Sequence, residues 1–383
     1  MNYLEAGIEV ISLIENSGYE AFFVGGMVRD YLLDMKPNDI DIATNALPEE
    51  IANIFEVVNT GVKFNSVTIV YKGYHFETTT YRVEFDYKDN RHPTYKVASS
   101  LVEDLKRRDF TINAMAMNKD YKIIDIFDGQ KDLNDKLIQT VYDPVRRFTE
   151  DALRMLRACY FAAKLDFKIA EETLSAIKKC SQLVQYLSND RIMWELEKII
   201  NSKNPMIGLK YLQITNILPY LLLFNDGINI LLEYGACELK WSEFLAVCFY
   251  NCPDKLSEIH LKSGLAKEVK EIIELAKKSP KNEFSVVSLF EYGGEISLSS
   301  NVVNVYYLKA KNQKEKIINK YQNLAIHSMS ELAIKGKDII DEVALKNNRI
   351  INDILLDVRD KVLLNKLEND KECIVKYIKK QYS

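Results

Sequence analysis

Apolar positions change their period once along this chain. Up to about residue 145, short runs of β-branched and aromatic residues alternate with helical stretches. Beyond Phe148 the apolar residues recur at three- and four-residue intervals almost to the C-terminus. The asymmetry predicts an α+β fold in which a small α/β head precedes an all-helical remainder. Tyr19 to Val24 predicts a strand feeding a Gly25-Gly26 turn, and Met27 to Leu33 the helix that follows. Asp39 to Ala43 predicts a second strand, and Ser66 to Tyr71 with Tyr74 to Tyr81 a hairpin about Lys72-Gly73. Arg82 to Lys96 is charged, contains Pro93 and lacks a sustained period, so it predicts a mobile loop. Downstream, Leu153, Leu156, Phe161 and Leu165, then Ile192, Leu196 and Ile199, then Leu209, Leu212 and Ile217 mark successive helices. Breaks at Asp143-Pro144, at Asn201 to Pro205 and at the lysine-rich end of the third block divide the chain into 1–147, 148–200, 201–270 and 271–383.

Composition narrows the functional classes. A chain of 383 residues buries a sizeable core without staples. Its six cysteines form no C-x-x-C pair and its four histidines no zinc-ligand spacing, so free thiols in a reducing cytoplasm are expected. Glu5 and Glu9 interrupt the N-terminal stretch where a signal peptide needs an apolar core, and Lys210, Pro219 and Asp226 interrupt the most apolar later stretch. Neither export nor a membrane span is expected. A net charge of −4 excludes indiscriminate nucleic-acid binding through bulk positive charge. An RNA partner must instead meet local clusters: Lys106-Arg107-Arg108, Arg146-Arg147, Arg154 with Arg157, Lys178-Lys179 and Lys309 to Lys320. The last two read first as solvated helix faces.

Candidate chemistry begins at Asp39-Ile40-Asp41. On a strand, residues two apart share a face, so the two carboxylates converge while Ile40 and Ile42 anchor the other side. Two hard oxygen donors on one rigid element suit Mg²⁺ bound together with substrate phosphates. Gly25 and Gly26 at a strand-to-helix corner let backbone N–H groups approach a phosphate, and Arg29 follows on the next turn. Glu77, on the second hairpin strand, is a third acid near the pair or a solvent-facing strand residue. In Arg107 to Ala114, Arg108 suits a phosphate, while Asp109 and Asn113 offer the acceptor and donor a ribose requires. Asp151, Arg154 and Arg157 open the first long helix three residues apart. A carboxylate accepts from an exocyclic amine and a guanidinium donates to a ring nitrogen, a pattern common to cytosine and adenine and inverted in uracil and guanine. Without that context the trio is a surface salt-bridge ladder.

Taken in order, GGMVRD, DIDIAT, FETTTYR, RRDFTINAMAMN and DPVRRFTEDALRMLRA resemble the motif series of the class II tRNA nucleotidyltransferases, the CCA-adding enzymes closely related to bacterial poly(A) polymerases. The resemblance spans residues 24–158, and extends more weakly to NDRIMWELEKII at 189–200 and ELAIKGKDII at 331–340. It implies a head, neck, body and tail, the head being a polymerase-β-like domain with a mixed five-stranded sheet. It also implies addition of C, C and A to tRNA 3′ ends from CTP and ATP with Mg²⁺, by a monomer or a homodimer. On this resemblance Asp39 and Asp41 bind metal, Glu77 joins the acidic site, and Gly25, Gly26 and Arg29 hold triphosphate. Arg108, Asp109 and Asn113 would take phosphate and sugar, Asp151 and Arg154 the base, and Arg157 a phosphate. Tyr160 departs from the pattern, standing where the family commonly has a second arginine. Lys88 to Pro93 resembles the charged loop relatives need for the final A. The alternatives are a poly(A) polymerase, a partial CC- or A-adding enzyme, and an inactive RNA-binding helical protein.

Overall fold

The computed structural model describes residues 2–37, 39–61, 65–88, 92–342 and 350–382. Its contacts divide the chain into two compact units, Met1–Asn225 and Asp226–Ser383. The first opens on α1 (Tyr3–Asn16), whose start is closed by a reciprocal cap: the Glu5 amide donates to the Asn2 side chain and the Asn2 amide to Glu5. Then come β1 (Ala21–Val24), α2 (Gly26–Leu32), β2 (Asp41–Thr44), α3 (Pro48–Ala52), β3 (Glu56–Gly61), β4 (Ser66–Tyr71) and β5 (Tyr74–Thr80). The β4–β5 hairpin closes at Lys72 and Gly73, both at positive φ, as a two-residue turn of this kind requires.

β6 (Arg82–Lys88) and β7 (His92–Val97) follow, then α4 (Leu101–Lys106), a 3₁₀ turn at Thr111–Asn113, β8 (Met115–Met117) and β9 (Ile123–Asp125). The head sheet has the order β3-β4-β5-β2-β1-β8-β9, and only the β2–β5 pair is parallel. It therefore has seven strands, not the five implied by resemblance. The three strands that periodicity did not predict lie toward the two edges: β3 outside β4, and the three-residue β8 and β9 outside β1. Strands that short show too few alternations to reveal themselves.

A second correction concerns Arg82 to Lys96, expected to be a loop. β6 and β7 pair antiparallel as a separate two-stranded ribbon, with Arg82 opposite Val97. Val83, Phe85 and Tyr87 alternate with Arg82, Glu84, Asp86 and Lys88 at the period of a strand, but the charged residues after Lys88, and Pro93 at the start of the second strand, interrupt the pattern, so no sustained period marks the pair. Residues 89–91, the middle of the charged loop segment, lie outside the described residues.

The head ends with α5 (Gly129–Asn134) and β10 (Leu137–Ile138). α6 (Pro144–Glu150), α7 (Leu153–Leu165), β11 (Lys168–Ile169), α8 (Glu171–Cys180), α9 (Asn189–Ile200) and α10 (Pro205–Ile214) complete the first unit. β10 pairs in parallel with β11 across α6 and α7, tying the sheet-bearing part to the helices. α7 packs against α9 and α10 and buries Met155, Leu156, Cys159 and Ala162.

α11 (Asn225–Tyr234) crosses the join, and the second unit continues with α12 (Trp241–Cys248), α13 (Leu265–Lys278), α14 (Val286–Leu308), α15 (Lys314–Gln322), α16 (Gly336–Glu342), α17 (Ile351–Leu363) and α18 (Lys371–Tyr382). Leu275, Leu289, Ile317, Ile339, Ile354, Val358 and Ile374 form its core. α14 kinks at Gly293, whose φ of 76° and ψ of 168° interrupt the helical ladder. The fold is α+β, a polymerase-β-like head on a helical remainder. Among the described residues no helix is long and apolar enough to cross a membrane, and all six cysteines are free.

Candidate active site

The site assembles where β1, β2 and the 3₁₀ turn of the head meet α7 and α9. β1 ends at Val24, and Gly25 turns the chain into α2 with φ 71° and ψ −130°, a backbone state closed to L side chains. A Cβ there would stand 2.7 Å from Arg108 Nη1 and 3.7 Å from Asp41 Oδ2. Bare backbone thus lies between a cation and a carboxylate. Gly25→Ala is expected to weaken binding of inorganic triphosphate about tenfold and cost about 1–2 kcal/mol of stability, since the strain persists even if Arg108 swings aside. Titration calorimetry and thermal melts check this, and an alanine variant matching the parent in both would overturn it.

β2 begins at Asp41, so Asp39 precedes the strand instead of lying on it. The expected alternation nevertheless holds: Asp39 is exposed and Asp41 half-buried, while Ile40 and Ile42 are buried. Glu77 on β5 stands opposite Asp41 in the parallel register. Burial pushes the Asp41 carboxyl up to about 6, Arg108 and Arg29 draw it down, and Glu77 and Asp39 add to the rise. Among the described residues the carboxylates of Asp39, Asp41 and Glu77 take no hydrogen bond or salt bridge, and no three acids gather into a metal cage. Negative oxygen donors without a direct salt-bridge partner suit a hard divalent cation that takes its other ligands from water and substrate.

Arg29 is buried and fixed on three sides. Its Nε donates to Asp30 Oδ1 at 2.7 Å, its Nη1 to Asn113 Oδ1 at 2.6 Å, and its Cζ lies 5.2 Å from the Phe161 ring centroid. The buried Asp104 of α4 holds both Arg107, at 2.9 Å, and Arg108, at 3.2 Å. Arg108 Nε is buried without a hydrogen-bond partner among the described residues. Asp109 accepts from Arg157 through Nε at 2.7 Å and Nη2 at 2.6 Å, and from Asn113 Nδ2 at 3.1 Å. Burial opposes its ionisation, but Arg157 and Asn113 outweigh it and hold the carboxyl near 2.

Asp151 and Arg154 are not where helix periodicity put them. Asp151 sits in the break between α6 and α7 with extended backbone, and its carboxyl accepts the Leu153 amide at 3.0 Å. Arg154 is buried instead of lying on an outer face, because α7 is covered on several sides. Each has a partner the sequence did not reveal. Arg191 of α9 donates to both Asp151 oxygens, at 3.3 and 3.1 Å. Arg154 Nη1 donates to Glu150 at 2.9 Å and to the Arg147 carbonyl at 3.0 Å.

One cavity of about 440 Å³ joins these groups. Gly25, Gly26, Arg29, Asp41, Arg108, Asp109, Asn113, Asp151, Arg154 and Arg157 line it, whereas Asp39 and Glu77 stand outside. Arg107, Tyr160, Phe161, Lys164 and Lys198 complete the wall. Lys164 continues the stripe of Arg157 and Phe161 at helical spacing, a signal present in the sequence. Lys198 comes from α9 and has no such local signal. Seven cationic side chains face three carboxylates, a balance that favours a polyanion.

Residues 21–139 match the family model for the poly A polymerase head domain, residues 166–225 that for the RNA- and SrmB-binding site of polymerase A, and residues 236–378 that for tRNA nucleotidyltransferase domain 2. With the acids of β2 and β5 and the polyanion cavity, these matches define a nucleotidyltransferase. The CCA-adding enzyme of Ligilactobacillus salivarius (strain UCC118) is 37% identical over 389 residues, covering 97% of this chain and 95% of that protein. The CCA-adding enzyme of Pediococcus pentosaceus is 36% identical over 387 residues, with 97% and 96% covered. The Bacillus stearothermophilus CCA-adding enzyme in complex with CTP superimposes with a TM-score of 0.85 at 31% identity, over 100% of this chain and 98% of that one. The chain belongs to the CCA-adding enzyme family.

Proposed function

We propose that this nucleotidyltransferase completes the 3′ end of tRNA with C, C and A, taking CTP and ATP in turn without a nucleic-acid template. The observation that carries the reading is the single cavity shared by the Asp151 carboxylate, the Arg154 guanidinium and a bare glycine turn beside Asp41. In this reading Asp151 accepts from the exocyclic amine of C or A, and Arg154 donates to the adjacent ring nitrogen. Uracil and guanine would set a carbonyl oxygen against the Asp151 carboxylate. The base displaces Arg191 from Asp151 and Glu150 from Arg154, so binding exchanges ion pairs already formed. Asp109 and Asn113 take the ribose hydroxyls, and Arg157, released from Asp109, turns to a phosphate with Arg29, Arg108 and the Gly25-Gly26 backbone.

The tRNA 3′-hydroxyl then bonds to the α-phosphorus and the bond to the bridging oxygen breaks, releasing pyrophosphate. Mg²⁺ held by Asp39 and Asp41 would lower the charge barrier to that attack, with Glu77 adding negative field from the next strand. The cationic wall positions the triphosphate and compensates charge on the leaving group. In the division we propose, 1–147 transfers the nucleotide, 148–200 reads the base, and 201–270 with 271–383 hold the tRNA by shape and phosphate contacts. A cytoplasmic setting follows from that substrate.

Incubation with tRNA lacking CCA and each labelled nucleotide tests the reading. Two C and one A are expected, in that order. Long tracts of A alone would favour a poly(A) polymerase, C without A a partial enzyme, and tRNA binding without Mg²⁺-dependent pyrophosphate release an inactive scaffold.

A further inference from the structure

Along α7, the residues that face the cavity form one stripe at helical spacing: Arg154, Arg157, Tyr160 with Phe161, and Lys164. From Arg154 to Lys164 the helix advances about 15 Å at ~1.5 Å per residue, enough to run beside a nucleoside triphosphate from base to last phosphate. The chemistry changes in the same order. Asp151 and Arg154 mark one end, the Asp109–Arg157–Asn113 cluster comes next, and the Arg29 and Arg157 guanidiniums both lie 5.2 Å from the Phe161 ring. Beyond Phe161, among the described residues, only two charged groups face the cavity, the ammonium groups of Lys164 and Lys198.

The two cations are held differently, Lys164 loosely and Lys198 by one close acid. Lys164 Nζ reaches Asp30 Oδ2 only at 3.5 Å, and Asp30 is already engaged by Arg29 at 2.6 Å. Burial first, then the neighbouring Arg29 charge, lower the Lys164 pKa despite Asp30. Lys198 pairs with Glu195 at 2.7 Å, and its Nζ lies 5.8 Å from the Tyr160 ring centroid. Tyr160 brings no charge to this wall, so the cation above it comes from α9. Its ring offers Lys198 a flat, weakly attractive support.

We propose that Lys164 and Lys198 form the subsite for the β- and γ-phosphates of the incoming nucleoside triphosphate, with Lys198 supplying from α9 the cation that position 160 does not carry. The subsite rests on reading the cavity as a nucleoside triphosphate site. It explains why two helices converge there: α7 carries the base-to-phosphate stripe, and α9 closes its far end while also holding Asp151 through Arg191. The two lysines are indifferent to the base, so they serve CTP and ATP equally.

Binding of CTP and of CMP to the full chain, measured by titration calorimetry with Mg²⁺ and without tRNA, separates the possibilities. The parent protein is expected to bind CTP far more tightly than CMP. Lys198→Met should weaken CTP about tenfold, the loss of one charge-assisted contact, and leave CMP within about twofold. Lys164→Met with Lys198→Met should remove most of the preference. Tyr160→Arg added to Lys198→Met should restore CTP affinity without changing CMP, since a guanidinium at position 160 reaches the same space. Lys198 is half-exposed, so the single variant tests the proposal even if the double variant does not fold. Equal binding of CTP and CMP by the parent would overturn the cavity reading itself. A parent preference kept in full by both lysine variants, or no recovery with Tyr160→Arg, would overturn the subsite alone.

Discussion

Asp41→Asn is expected to lower nucleotidyl transfer by ~10³-fold or more and, with metal chelated, to make the protein more stable above pH 6. Transfer falls because Asp41 is the acid nearest the glycine turn, its Oδ2 lying 3.7 Å from where a Gly25 Cβ would stand. The stability gain follows from the carboxyl's displacement from an ordinary aspartate value of 3.8 to about 6, caused first by burial and then by Glu77 and Asp39 against the pull of Arg108 and Arg29. A raised carboxyl pKa means that the folded state resists ionisation. Below pH 4 the group is protonated whether folded or not, and Asp41 costs nothing. Between pH 4 and 6 the penalty grows, and above 6 it is complete, about 2 kcal/mol after allowing for partial solvent screening. The asparagine variant escapes it. In EDTA its melting temperature should match the parent's at pH 4 and exceed it by a few degrees at pH 8. Adding Mg²⁺ should raise the parent's melting temperature more than the variant's. A variant that melts no higher at pH 8, or that retains turnover, would sink this account of the acidic edge.

The second large effect concerns nucleotide choice. Arg154→Ala should leave transfer measurable but reduce the ratio of kcat/KM for CTP over UTP by about 10- to 100-fold, the 1–3 kcal/mol attributable to one base-edge contact. Folding should tolerate the change, because Glu150 keeps Arg146 at 3.1 Å and its contact with Arg147 when Arg154 is gone. Lys198→Met gives the contrasting profile, with weaker binding of CTP and ATP and no change in their ratio to UTP and GTP. Discrimination unchanged in the Arg154 variant would refute the base-reading role, and Arg191 would then be the next group to examine at that end of the cavity.

The acids at the start of β2 were legible because their signal is local. Ile40 and Ile42 must face the core, which obliges Asp39 and Asp41 to face away, although the strand itself starts only at Asp41. Gly25 was legible because a strand-to-helix corner at positive φ demands a residue without a Cβ. Lys72-Gly73 was legible for a related reason, as the closing pair of a hairpin. The β6–β7 ribbon escaped notice because the alternation of Val83, Phe85 and Tyr87 is short and is interrupted by charged residues and by Pro93 where its partner strand begins. Asp151 was displaced from the helix assigned to it because Pro144 starts a separate short helix, and the break between α6 and α7 leaves that carboxylate in extended backbone.

What the sequence by itself determined was the change from mixed elements to helices, the turn that brings backbone to a phosphate, the side to which Asp39 and Asp41 turn, and a motif order shared with one enzyme family. Periodicity and turn stereochemistry act within a few residues, so those features are written where they occur. Only the tertiary structure decided which charges meet: Arg157 with Asp109, Arg191 with Asp151, Glu150 with Arg154, and Lys198 above Tyr160. Three of these four pairs join segments more than thirty residues apart, and the Glu150–Arg154 contact spans the break between two helices. Their geometry is set by how α7 seats against the head and α9, a balance of burial over the whole unit that no local pattern encodes. The glycine turn and Asp41 were therefore visible from the start, while the wall that gives their cavity its charge and length became visible only when the helices were packed.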